Sequence, residues 1–292
     1  MPGIFVNTQL SKSCLSDVSF YLQSGVYLLL VCLVMNFNNV YTVLDREDGF
    51  IELAGAAFLL FASIMLFVTT FQYKKIVQKK DYKFWLFLFA AIAFFWASGE
   101  EISWGQHMLG TQTPEWLGQI NGQNETNLHN INKKFFDRTL ERLMVMLSLI
   151  TAIFHFRGKE KFLGFKLPSY PLNLAFLLIP IFRKHEDFAL DVWYINFVIF
   201  WGYPVIAIAK KNFKMLFMSV LFILTTIVVL HFHHNFHATF NVSNFYHEVR
   251  ESLFAIMAFT YAVLLYQDVR GNVTGKSHED KLNLGSGQGS VA

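Results

Sequence analysis

FWLFLFAAIAFFWASGEEISWGQHMLG, Phe84 to Gly110, is the stretch whose reading decides the fold. Its first fourteen residues carry no charge and are rich in aromatics, and then two glutamates arrive side by side at Glu100 and Glu101. With the residues that follow, to about 104, the run is long enough to be a membrane-span candidate. The composition agrees: 54% of the chain is hydrophobic, only 15% is charged, 33 residues are phenylalanine and the mean hydropathy is +0.37. Ordinary soluble domains carry about a quarter charged residues. The expected fold class is therefore an all-α integral membrane protein.

Working outward, apolar runs long enough to cross with some tilt fall near residues 21–44, 50–73, 84–104, 139–156, 168–182, 190–209, 213–232 and 246–267. This predicts a helical bundle of about eight transmembrane spans over 21–267. Residues 1–20 read as a cytoplasmic N-terminal segment and 268–283 as a cytoplasmic tail. The closing LGSGQGSVA, 284–292, reads as a Gly/Ser-rich linker appended to the natural chain. No cleavable signal peptide is expected, and Cys14 and Cys32 form no C-x-x-C pair. Lysine and arginine crowd into KKIVQKKDYK (74–83), RGKEKFLGFK (157–166) and KKNFK (210–214), all on one side of an eight-span arrangement. Positive loops stay in the cytoplasm, so both termini are predicted there, with an extracytoplasmic loop at 105–138.

That orientation sorts the remaining charges. The extracytoplasmic side receives 15 of the 21 acids but only 8 of the 24 bases, together with eight of the ten histidines. Topology accounts for the absent bases but not for acids placed inside apolar runs. Glu100 lies 17 residues beyond Lys83, roughly 25 Å at about 1.5 Å per residue, which is short of the roughly 30 Å hydrocarbon thickness. Glu251 reaches a similar depth counted back from Asp268. Ionisable groups at such depth face the bundle interior and find polar company. On a continuous helix Glu100, Ser103, Trp104 and His107 share one face, with Glu101 about 100° round. His247 with Glu251, and Asp48 with Glu52, stand at i, i+4 on two other spans. Three spans thus offer carboxylates at one level.

The loop adds polar chemistry. Thr113 and Pro114 read as a helix start, and Trp116, Leu117 and Ile120 suit a short interfacial helix acting as a lid. In NGQNETNLHN, asparagines recur every three residues at Asn121, Asn124, Asn127 and Asn130, and Glu125 stands four before His129. In a helix Glu125 and His129 would ligate one metal; in a loop the asparagines would supply oxygens to a hard cation or hydrogen bonds to a sugar. His233 and His237, in HFHHNFH, stand one helical turn apart and suit a transition metal, as do His247 and Glu248 with a further ligand. The structural alternative for such histidines is hydrogen bonding at a span end. His155 stands alone at the cytoplasmic end of the fourth span.

REDGFIE, SGEEISWGQ and ETNLHN, over roughly residues 45–130, resemble the shared segments of an uncharacterised prokaryotic multi-pass membrane family. The resemblance implies a multi-pass protein of a bacterial inner membrane and carries no activity with it. Ser103-x-x-x-His107 and His233-x-x-x-His237 are similar to motifs of alkaline ceramidase-like membrane hydrolases, where zinc activates water. GEEISW, with His231 and Asn235, resembles parts of the CAAX-protease-like pattern, from which the arginine is missing because Gly105 follows Trp104.

The leading expectation is a membrane-embedded hydrolase or transferase acting on a lipid or lipid-linked substrate near the extracytoplasmic surface. Glu100, Glu101, Glu251 and His107 are its candidate catalytic residues, and Glu52, Trp104, Trp116 and Asn127 its substrate-binding ones. A divalent metal, Zn or Ca, is the candidate cofactor, with His129, Glu125, His247, Glu248, His233 and His237 as ligands. Membrane lipid is the expected partner and nucleic acid is not. Two alternatives stand beside it: a cation- or proton-coupled transporter, and a noncatalytic lipid- or glycan-binding membrane protein.

Overall fold

The structure, a computed structural model, describes residues 17–26, 28–29, 50–77, 81–121, 124–128, 131–179, 201–240 and 243–286. The predicted spans at 21–44 and 190–209 lie largely outside these residues. "Outer" and "inner" denote the ends predicted to be extracytoplasmic and cytoplasmic.

The described chain is mostly helical, and three of its helices are long and apolar enough to cross a membrane: Ile51–Ile76, Tyr82–Glu101 and Val249–Asn272. They belong to α2 (Phe50–Ile76), α3 (Tyr82–Glu101) and α10 (Ser243–Ser286) and pack on one another. Before them, α1 (residues 17–26) places Ser19 against Thr260 of α10, oxygen to oxygen 3.2 Å, so the predicted boundary at residue 20 falls inside a helix. Helix α10, with 44 residues and about 66 Å of length at 1.5 Å per residue, far exceeds a membrane's thickness and runs on past residue 284, where the linker was expected to begin.

Small residues set how the three helices meet. In α2 and α3, Ser63 Oγ donates to the Ala91 carbonyl (2.7 Å) and Ser98 Oγ to the Ala56 carbonyl (2.7 Å), the antiparallel register of a helical hairpin. Helix α10 runs parallel to α2: Ser252 Oγ donates to the Ile51 carbonyl (2.6 Å), and a turn or two further in Phe259 meets Phe58 and Phe61. Gly55 makes this approach possible, since a Cβ there would stand 2.9 Å from Ser252 Oγ. Without a hydrophobic drive between helices in lipid, close backbone approach and such hydroxyl bonds hold a bundle together. Ala62, Leu66, Phe87, Ala91, Ala258 and Ala262 fill the seam below. The outward stripe Trp85, Phe89, Ile92 and Trp96 of α3 is exposed, as a lipid-facing surface should be.

A second core gathers around Leu172, Met218, Phe222 and Met257, contributed by α7 (Tyr170–Leu178), α9 (Phe213–Phe240) and α10, with α6 (Lys133–Phe156) and α8 (residues 201–209) alongside. The fifth predicted span appears as α7, nine residues or about 13 Å, which covers less than half the hydrocarbon thickness. Residues 180–182 lie outside the described chain.

At the inner end the chain departs from an all-α fold. Lys161–Phe162 (β1) and Phe165–Lys166 (β2) form an antiparallel hairpin. Its two-residue turn has positive φ at both Leu163 (47°) and Gly164 (72°), the requirement of the tight hairpin turn that matches strand twist. The hairpin is clasped by its neighbours: Tyr82 Oη donates to the Leu163 carbonyl (2.8 Å), Lys83 Nζ to Gly164 (3.3 Å) and Tyr261 Oη to Lys166 (2.6 Å). Asp81 caps α3, accepting from the Lys83 and Phe84 amides and from Tyr73 Oη (2.7 Å).

Candidate functional site

Helix α3 ends at Glu101, and the break beyond it corrects the expectation of one continuous polar face through His107. Ser103, Trp104 and Gly105 take positive φ of 46°, 55° and 76° in a single 3-10 turn, before α4 (Gln106–Leu109) restarts the chain in another direction. Two non-glycine residues in the left-handed region are costly, about 1–2 kcal/mol each, so side-chain interactions must hold them there. Trp104 lays its ring over Gly99, where a Cβ would stand 2.6 Å from it, and meets Trp96 edge-on at 5.0 Å between centroids. Its Nε1 donates to Glu100 Oε1 (2.9 Å).

Glu100, 6% exposed, binds the loop as well: its Oε2 accepts the backbone amide of Leu128. Around it, Ser103 Oγ donates to Glu125 Oε2 (2.8 Å), and Asn127 Nδ2 donates to the same oxygen (2.6 Å) and to Ser103 Oγ (3.0 Å). Asn121 Nδ2 completes the chain on the Asn127 backbone carbonyl (2.7 Å) and side-chain oxygen (3.0 Å). The segments SGEEISWGQ and ETNLHN, roughly 20 residues apart in sequence, are thus two halves of one polar cap. Asn127, at 2% exposure, is an internal strut of that cap rather than a surface group.

Gln106 belongs to the cap and escaped the sequence reading, and Thr113 serves the cap rather than the helix start expected of it. Gln106 Oε1 accepts from the Thr126 amide (2.6 Å), its Nε2 donates to Thr113 Oγ1 (2.7 Å), and Thr113 Oγ1 donates to the Asn124 carbonyl. Thr113 therefore does not cap the short helix α5 (Glu115–Gly118), whose cap position is Pro114. The signal was a glutamine directly after a glycine at a helix break, where a long amide side chain can bridge two strands of loop. On α5, Leu117 is buried while Trp116 is 65% exposed, with Ile120 also exposed beyond it.

Glu101 stands three residues beyond Ser98, on the face whose hydroxyl bonds to Ala56 of α2. On α2, Glu52 is three before Gly55 and four before Ala56, the residues that meet α10 and α3. On α10, Glu251 shares a face with Ala255, Ala258 and Ala262, and the last two pack in the α2–α3 seam. The registers Ile51–Ser252 and Ala56–Ser98 bring all three glutamates to the outer mouth of one seam. Arg250, buried at 6%, lies beside Glu251, with Nη2 3.9 Å from its Oε1. The sequence-predicted carboxylates thus divide between the cap (Glu100, Glu125) and the seam (Glu52, Glu101, Glu251).

Among the described residues no three His, Cys, Asp or Glu side chains are gathered as a metal would require. Residues 124–128 are not helical, so the helical pairing of Glu125 with His129 does not form. His129 and Asp48 lie outside the described residues, as do the side chains of His107, His233, His237, His247 and Glu248. The backbone of α9 does carry His233 and His237 one turn apart, and α10 carries His247 one turn before Glu251.

No protein-family model, curated protein or solved structure matches the chain. Three long apolar helices make it a membrane protein. The chemistry of the site is therefore the guide to what it does.

Proposed function

We propose that the protein is a multi-pass membrane enzyme that admits a lipid or lipid-linked substrate from the outer leaflet and acts on it at the mouth of the α2–α3–α10 seam. The eight-span topology, with both termini cytoplasmic and the seam mouth outside, belongs to this reading, as does a bacterial inner membrane. What supports it is the common level to which the helix registers bring Glu52, Glu101 and Glu251, with buried Arg250 beside Glu251. Ionisable groups inside a membrane are expensive and mark functional paths, and paired carboxylates in a partly dry site divide the work of general acid and base. Glu101 and Glu251 are the proton-transfer pair, with His107 as a proton carrier. Glu52 orients the substrate, Trp104 and Trp116 face its lipid or sugar portion, and Glu100, through the cap, positions the loop that covers it. In the metal-dependent form, Glu125, Glu248 and the histidines at 129, 233, 237 and 247 would hold Zn or Ca, which would supply an activated water.

The test compares membrane lipids, by mass spectrometry, from cells expressing the wild-type, Glu101→Gln or Glu251→Gln protein. A lipid species that accumulates in the variants and is consumed by the purified wild type, with turnover lowered about 10²–10⁴-fold by either change, supports the reading. Full turnover in Glu101→Gln sinks its role as base. Elemental analysis of active protein decides the metal form, and sub-stoichiometric metal removes it.

A second reading, noncatalytic recognition of a lipid or glycan head group, is favoured by the cap itself. Glu100 and Glu125 each accept two hydrogen bonds within the fold, an arrangement suited to holding a shape. A lipid that co-purifies stoichiometrically and is never turned over selects it.

A further inference from the structure

We propose that the inner ends of α6 and α7 enclose a hydrated site, in which ordered water bonds to His155, Ser169 and Asn173 and brings hydration into the membrane from the cytoplasmic side. Among the described residues, His155 Nδ1, Ser169 Oγ and Asn173 Oδ1 are buried and have no hydrogen-bond partner in the protein. Asn173 is 1% exposed. Its orientation is fixed because Nδ2 donates to the Ser148 carbonyl (3.1 Å) and to Tyr203 Oη (2.7 Å); a flipped amide would set oxygen against the Ser148 oxygen. Oδ1 is therefore an acceptor that needs a donor.

The three groups line one interface. Ser148 and His155 are two turns apart on the same face of α6, and the Pro168 backbone, just ahead of α7, lies beside the His155 ring. Ser169 and Asn173 are joined by the first backbone bond of α7 (2.8 Å). His155 Nδ1 accepts or donates according to tautomer, and the Ser169 hydroxyl both donates and accepts. Unsatisfied acceptors at this depth are strongly disfavoured in hydrocarbon. Water meets all three demands, since one molecule makes two to four hydrogen bonds and can both donate and accept. The site lies next to exposed Arg157, Lys159 and Glu160, and its floor at Ser148 is nine residues in, roughly 13 Å at 1.5 Å per residue. The inference stands independently of the proposed outer-side chemistry.

Cysteine accessibility tests it. In a Cys14→Ser/Cys32→Ser background, Asn173→Cys and Ser148→Cys are compared with Leu172→Cys and Leu177→Cys, whose parent side chains are equally buried but apolar. Inverted vesicles are treated with the ethylammonium methanethiosulfonate reagent. Only thiolate reacts, and apolar burial raises a thiol's pKa, so one unit of difference separates the rates about 10-fold. Labelling of Asn173→Cys or Ser148→Cys at least that much faster than both controls supports the site. Equal rates in all folded variants overturn it, as does a structure with ordered water elsewhere in the bundle and none at Asn173 Oδ1. The two test positions sit on different helices, so failure of one variant to fold leaves the other decisive.

Discussion

The two ends of the α2–α3–α10 seam solve the same problem differently. At the inner end, a hairpin is clasped through its backbone carbonyls by Tyr82, Lys83 and Tyr261. At the outer end, buried carboxylates are bonded to loop amides and to neighbouring side chains across a turn held in the left-handed region. Backbone carbonyls are present in any sequence, so the inner clasp asks little of residue identity. The outer cap needs Glu100, Ser103, Gln106, Glu125 and Asn127 together.

The sharpest way to break this comparison is Glu100→Ala. It leaves the Leu128 amide and the Trp104 indole without their carboxylate acceptor in a part-buried setting, and unfolding in detergent, followed by tryptophan fluorescence, should show a loss of about 1–3 kcal/mol. The inner counterpart, Lys83→Met, removes one exposed bond and should stay within about 0.5 kcal/mol. Comparable losses at both ends would erase the distinction.

Between the ends, Gly55→Ala drives a methyl to 2.9 Å from Ser252 Oγ and 3.3 Å from its Cα. The expected destabilisation is about 1–3 kcal/mol. Adding Ser252→Ala should recover only part of it, because the backbone contact remains; additivity in the double-mutant cycle would mean the helices are not in contact there.

The inner end has its own pH signature. Burial opposes ionisation of Asp81, but the Tyr73 hydroxyl, the Phe84 and Lys83 amides and the Lys83 charge outweigh it and hold the carboxyl below its usual range. A depressed folded value means that this stabilisation is complete above the usual carboxylate range and fades as pH falls through the lower folded one. Asp81→Ala should cost about 1 kcal/mol at neutral pH, as loss of a helix cap does, and flatten the acid limb of a stability-against-pH curve. An unchanged acid limb would assign that limb to other carboxylates.

Smallest of all, Trp116→Ala should change unfolding by less than about 0.5 kcal/mol, since the ring is exposed. Its quenching by brominated lipid in the wild type would place it at the membrane surface, and indifference to brominated lipid would place it in water.

Much of this was legible without coordinates. An uncharged aromatic run, a composition poor in charge and the crowding of lysine into three linkers point to a membrane protein whatever its packing, because the cost of charge in hydrocarbon does not depend on the fold. The sequence also marked GEEISWGQ and ETNLHN as polar segments of interest, since acids at that depth are conspicuous against so apolar a background. It set Glu100 and Glu101 on different faces by helical geometry alone. What it had no means of supplying was the partner of each. Helical spacing extended through Ser103 and Trp104 put Glu100, Ser103 and His107 in line, whereas three left-handed residues end the helix there. Side-chain bonds to a loop roughly 20 residues on stabilise that break, and such bonds are invisible to local pattern. The assignment of Glu100 to the cap and Glu101 to the seam was decided by tertiary contacts, Leu128 on one side and the Ser98–Ala56 register on the other, because where a carboxylate is buried depends on which chain segment brings donors to it.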